Sequence, residues 1–220
     1  MRRIALGALV VLTAAALLIP SAEGSGKNRA REWRVTISNL TPAGSQPLSP
    51  PLLVVHSRGA DVWSPGTIAT HPVAAIAEDA DNAPAESALT GYPGVLSVET
   101  GGGGPIPPGE THSFTVQTRS EFDRLTVLTM LVNTNDAFTG LDSLHVHGNG
   151  LTRSTNAYDA GSERNNEQMA FIPGPCCGHP FVRDPEGAVI RMHEGITGRG
   201  DLDPAVYGWT GPVARIQVAR

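Results

Sequence analysis

Leu125-Thr126-Val127-Leu128-Thr129-Met130-Leu131-Val132 is the most apolar stretch beyond the amino-terminal region. It is too short to span a membrane and is bounded by polar residues, so it reads as the central, doubly covered strand of a sheet. Working outward, residues 141–147 alternate apolar and polar. Residues 112–118 do the same, with Phe114 and Val116 on one face. Residues 33–37 alternate as a first strand, and Leu52-Leu53-Val54-Val55 follows two prolines as another. Residues 95–98, 188–192 and 213–218 complete the set. Pro72 followed by alanines and Glu78 reads as a helix start, and residues 85–89 as a second helical turn. The expectation is an antiparallel β-sandwich of about eight strands, with one or two short helices near residues 72–90.

Composition agrees. Gly 25 and Pro 18 in 220 residues favour turns and short strands over long helices. The length corresponds to one domain, and 40% hydrophobic residues suffice for a core. With Lys+Arg 16 against Asp+Glu 21 and a net charge of −5, a nucleic-acid binder driven by bulk charge is excluded.

Arg2 and Arg3 precede an apolar run over residues 4–19, broken by Pro20 and followed by Ser21 and Ala22. That is the layout of a secretory signal peptide over residues 1–24, with cleavage after Ala22 or Gly24. Residues 25–32 read as a flexible lead-in and 33–219 as the folded domain. The chain is expected to be secreted or periplasmic, with no transmembrane segment once the signal is removed.

Two connections, 148–168 and 169–187, are too long for ordinary loops and point to function or to an anchoring group. The densest polar constellation, 133–142, begins where the central strand ends. A second oxygen-rich group spans 156–163. Loops of this kind supply the carboxylates, amides and carbonyls that calcium requires, although ordinary turn chemistry explains the same residue types. His145 and His147 share a strand face without a third ligand fixed by spacing. Cys176-Cys177-Gly178-His179 admits a disulfide between neighbours, two thiols, an intermolecular bridge or a soft-metal site with His179. Among other short motifs, Arg199-Gly200-Asp201 matches an adhesion tripeptide that also occurs by chance as a surface turn. The patterns of common hydrolases and phosphate-binding loops are absent from the sequence.

Several segments in order resemble the spondin amino-terminal domain family of secreted proteins, in its stand-alone bacterial form. They are WRVTISNLT from Trp33, PLSPPLLVVH from Pro47, AAIAEDAD from Ala74, MLVNTNDAFTGLDSL from Met130, YDAGSERN from Tyr158 and PVARIQV from Pro212. The resemblance implies a β-sandwich with one calcium ion at its loop end. It further implies a non-enzymatic adhesion or recognition role toward an extracellular or cell-surface protein or glycan. Two family ligand positions fall on Asp136 and Asp159. A third, a Glu in the family, falls on Thr115 when two extra residues are allowed before Asp136. The family's cysteines have no counterpart here, and Cys176 and Cys177 match no family position. The competing expectation is a cysteine-dependent redox or soft-metal protein using Cys176, Cys177 and His179.

Overall fold

The computed structural model describes residues 29–220. The expected signal peptide and residues 25–28 of the expected lead-in lie outside the described residues, while Arg31 and Glu32, expected as the end of that lead-in, already belong to the first strand.

The elements in chain order are β1 (Arg31–Asn39), β2 (Leu52–His56), α1 (His71–Asp79), α2 (Ala83–Leu89), β3 (Val95–Thr100), β4 (Thr111–Thr118) and β5 (Arg124–Met130). They continue with β6 (Ala137–His145), β7 (Gly150–Thr155), β8 (Tyr158–Asp159), β9 (Arg191–Met192), α3 (Pro204–Tyr207) and β10 (Ala214–Ala219). The strands form two antiparallel sheets. One has four strands in the order β4-β1-β10-β7, the other six in the order β3-β2-β5-β6-β8-β9. The sandwich expected from strand periodicity is thus the architecture observed.

Burial explains why the strands read as they do. β1 follows period two: Trp33, Val35 and Ile37 point into the inter-sheet core while Arg34 stays exposed. β2 and β5 lie inside the larger sheet and are covered on both faces. Leu53, Val55, Leu125 and Val127 join the inter-sheet core. Leu52, Val54 and Leu128 face a second core built with Val73, Ile76 and Ala77 of α1. A doubly covered strand has no face to give to polar residues, hence the apolar runs. In this second core Trp63 packs edge-on against Phe138 and Tyr158, with ring centroids 4.9 and 5.1 Å away.

Helix α1 takes Pro72 in its first turn, where its missing N–H is harmless. It ends at Ala80 in the left-handed region, φ 59°, whose N–H closes the last turn. Gly140 on β6 sits where a Cβ would lie 1.7 Å from the Val127 carbonyl oxygen, beside the register shift in the β5–β6 pairing. Only glycine permits that approach. Among the described residues no helix is long and apolar enough to cross a membrane.

The expected and observed elements differ in four places, the first being α3, a third short helix at Pro204–Tyr207, where Asp203 caps the turn by accepting from the Ala205 amide. β6 begins at Ala137, so the middle of the expected 133–142 polar loop is buried strand. The 148–168 connection contains β7, the edge strand paired to β10, and the two-residue β8. Of the expected strand at 188–192, only Arg191 and Met192 pair as a strand.

Candidate functional site

Asp136 and Asp159 are brought together by strand pairing. Asp136 immediately precedes β6, and β6 pairs with β8 in a register that sets Ala137 opposite Asp159. The Asp136 carbonyl also accepts from the Ala160 amide at 3.2 Å. Gly161, at φ +69°, then turns the chain back over the pair; a Cβ there would meet the Ala188 carbonyl. Its amide donates to Asp159 Oδ1 at 2.6 Å, an Asx-type turn. The remaining Asp159 oxygen, Oδ2, accepts from Asn165 Nδ2 at 2.7 Å and from Arg191 Nη2 at 2.8 Å.

Asp136 is treated differently. Its Oδ2 accepts from the Ser162 amide (2.9 Å), the Ser162 hydroxyl (3.2 Å) and the Glu163 amide (2.9 Å). Its Oδ1 is buried and has no hydrogen-bond partner. Burial, then the charge of Asp159, pushes the Asp136 carboxyl up to about 7 against the pull of the Ser162 and Glu163 donors. Asp159 is likewise raised by burial, only partly offset by Gly161 and Arg191.

A third buried carboxylate, Glu163, follows in the same segment. Glu163 is 1% exposed, and neither side-chain oxygen accepts a hydrogen bond. Arg183 Nε lies 3.2 Å from its Oε1, within ion-pair reach but without hydrogen-bond alignment. That one guanidinium also faces Glu78 at 2.5 Å and Asp79. One cation among three carboxylates leaves an excess of negative charge. Burial, then Glu78, Asp136 and Asp184, accordingly pushes Glu163 up to about 9.

Thr115 does not join this cluster. It is exposed on β4, in the other sheet, and lines a groove with Leu96, Ser97 and Glu99. The alternation that turns Phe114 and Val116 inward turns Thr115 outward. Asp142, five residues along β6 from Ala137, accepts from Ser64 at 3.0 Å instead. Glu163 lay within the oxygen-rich 156–163 segment, but no local pattern distinguished it from a solvated turn residue.

Most of the polar loop ahead of Asp136 serves as a brace. Asn133 Nδ2 donates to the Ser45 carbonyl at 2.7 Å, while its Oδ1 accepts from the Cys176 amide at 3.2 Å. Asn135 Oδ1 accepts from the Glu167 amide at 3.2 Å. Cys176 and Cys177 are joined to each other in a disulfide, and no described cysteine is free. In this form no thiolate is present for a soft metal. The pair packs on a small core of Ile172, Ile196 and Leu202. His179 is exposed, and its amide donates to the Ile172 carbonyl. The Arg199–Asp201 tripeptide is tied back as well: the Arg199 amide donates to Glu167, and Asp201 accepts from the Met169 amide.

The donor set at Asp136 and Asp159 is all oxygen, the chemistry of a hard cation, and Asp136 Oδ1 is the orphaned atom such an ion would satisfy. Among the described residues, however, no three His, Cys, Asp or Glu side chains stand together as a ready-made ligand group. A cation here would take its remaining ligands from carbonyls and water. Beside Asp159 opens a polar cavity of about 470 Å³, lined by Arg164, Asn166, Arg191 and Arg199 together with Glu186 and Glu194. No protein-family model and no curated protein matches the chain.

Proposed function

We propose that this protein is a secreted, non-enzymatic recognition module of the spondin type. One calcium ion at Asp136 and Asp159 ties the 158–165 segment to the sandwich. The observation that carries the reading is Asp136 Oδ1, a buried carboxylate oxygen with no donor beside a second buried carboxylate. Arg191 already pairs with Asp159, but among the described residues no cation faces Asp136, so its orphaned oxygen calls for a proton or a cation. A divalent ion would take the place of a proton on Asp136 and hold both acids ionised.

The role of the ion is to fix the loop end, and partner recognition falls to the polar cavity beside it. Guanidiniums, carboxylates and amides mixed around that cavity suit hydrogen bonding to an extracellular or cell-surface protein or glycan. The test is to strip the purified protein with chelator and titrate calcium while following thermal melting. A ligand bound only by the native state raises the melting temperature with concentration. The expected result is a saturable rise, lost in Asp136→Asn and Asp159→Asn. If calcium and chelator leave the wild-type melt unchanged, the metal reading fails.

A further inference from the structure

The opposite end of the sandwich carries a charge arrangement that the loop site does not use. β6 runs from Ala137, beside the acidic cluster, to His145, a distance of about 26 Å at ~3.3 Å per residue. There a cavity of about 360 Å³ is lined by Arg29, Arg31, Arg119, Asp123, His145 and His147. The β1–β4 register, Arg31 opposite Thr118, brings the start of β1 to the turn that holds Arg119. The end of β6 supplies the histidines, whose ring centroids lie 4.7 Å apart.

Three arginines thus line one cavity, Arg119 at its border with the groove that holds Glu99, and among the described residues none of the three lies within ion-pair reach of a carboxylate. The one acid in the lining, Asp123, is taken by His145 Nε2 at 2.9 Å and Arg124 Nε at 3.6 Å. Around the cavity beside Asp159, by contrast, each arginine pairs with an acid: Arg164 with Asp184, Arg191 with Asp159, Arg199 with Glu194. Cations left together without counter-charge, in a chain whose net charge is −5, repel one another until an anion enters. Hydroxyls reinforce the preference. Thr118 Oγ1 accepts from Trp33 Nε1 at 2.8 Å, which leaves its own O–H to donate, and Ser120 lies on the same wall.

We propose that this cavity binds a phosphate or sulfate monoester group, gripped by the forked donors of Arg29, Arg31 and Arg119. Guanidinium groups match tetrahedral oxyanions with paired, charge-assisted hydrogen bonds. The concave shape and modest volume suit a single esterified head group rather than an extended polyanion laid across a flat face.

The test is isothermal titration of the purified protein with inorganic phosphate and with inorganic sulfate, with acetate as a charge control. Chelator is present throughout, so the outcome is independent of calcium at the loop end. Saturable binding of phosphate or sulfate, and none of acetate, is expected. Arg31→Gln and Arg119→Gln should each weaken it about tenfold, the loss of one charge-assisted pair. Arg153→Gln, on the exposed face of β7, should bind as wild type does. A preference for phosphate identifies a phosphoryl group as the natural feature and a preference for sulfate a sulfate ester; either upholds the site. Absence of saturable binding by both ions overturns the proposal, as do Arg31 and Arg119 variants that bind like wild type.

Discussion

Glu163 and Glu167 lie four residues apart on one strap, the connection 160–190 between β8 and β9, at 1% and 3% exposure, and they are treated in opposite ways. Glu167 sits in a cradle. Its two oxygens accept from the Thr197 amide and hydroxyl (2.7 and 2.8 Å) and from the Gly198 and Arg199 amides (2.7 and 2.9 Å). Burial alone would raise its carboxyl, but these donors overcome it and hold Glu167 below the ordinary glutamate range. Glu163, with no hydrogen-bond donor and three acids around it, is pushed far the other way. Burial of a carboxylate is therefore uninformative by itself; what decides its state is whether the chain folded around it supplies N–H groups. A cradle marks a structural anchor. A buried acid without one marks a place where a proton or a cation is taken up.

The sharpest test of this contrast removes each acid in turn. Glu167→Ala leaves four donors without their acceptor and should lower unfolding free energy by about 3 kcal/mol, measured by urea titration. A loss below about 1 kcal/mol would mean that the cradle is not an anchor. Glu163→Gln keeps the shape while removing the acid, so in chelator it should match wild type near pH 4.5 and be the more stable of the two at neutral pH, measured by the same titration.

The pH profiles should diverge in the same way. The folded-state carboxyl of Glu163, near 9, is above its unfolded value of 4.5. The unfolded chain therefore ionises first, and Glu163 erodes stability progressively as pH rises from 4.5 toward 9. Glu163→Gln should flatten that decline. Glu167 has the opposite sign: its contribution is full above the ordinary glutamate range and is lost as pH falls through its lowered folded value. A Glu163→Gln variant that follows the wild-type profile would show that Glu163 is already ionised in the fold.

A smaller effect belongs to His193. Burial lowers its folded value to about 4, and the Gly195 amide donates to Nδ1 at 2.9 Å, so the proton sits on Nε2 facing Asn165 Oδ1 at 3.1 Å. As pH falls below the ordinary histidine value of 6.5, the unfolded chain gains a proton the fold refuses, and stability drops toward pH 4. His193→Gln should shallow that acid limb; an unchanged limb would place the proton uptake elsewhere.

The same contrast explains what could be read from the sequence. Strands whose faces differ, such as β1 and β4, and strands covered twice, such as β2 and β5, print their environment as period two or as an apolar run. β7 does not, because Gly150–Thr155 is an edge strand with little to bury and is held by its ladder to β10. Asp136 and Asp159 stood out because turn residues and oxygen-rich loops have local signatures and because the spondin-like segments run through them. Glu163 and Glu167 could not, since what distinguishes them arrives from elsewhere in the chain: Glu78 and Arg183 for one, residues 197–199 for the other. Thr115 shows the converse. Its inward-facing neighbours, Phe114 and Val116, already placed it on the outer face of the strand.

Arg183 ties the strap to α1 through Asp79, a contact between residues 104 apart in sequence. Loop closure over that span gains little until the sheets have already assembled, so docking of the strap belongs late in folding. The strap also lacks the continuous ladder of the sheets, its amides bonding instead to scattered carbonyls and to side chains such as Asp136 and Asp159. It should open as its own cooperative unit, with its amides exchanging with solvent well before those of β1, β5 and β10.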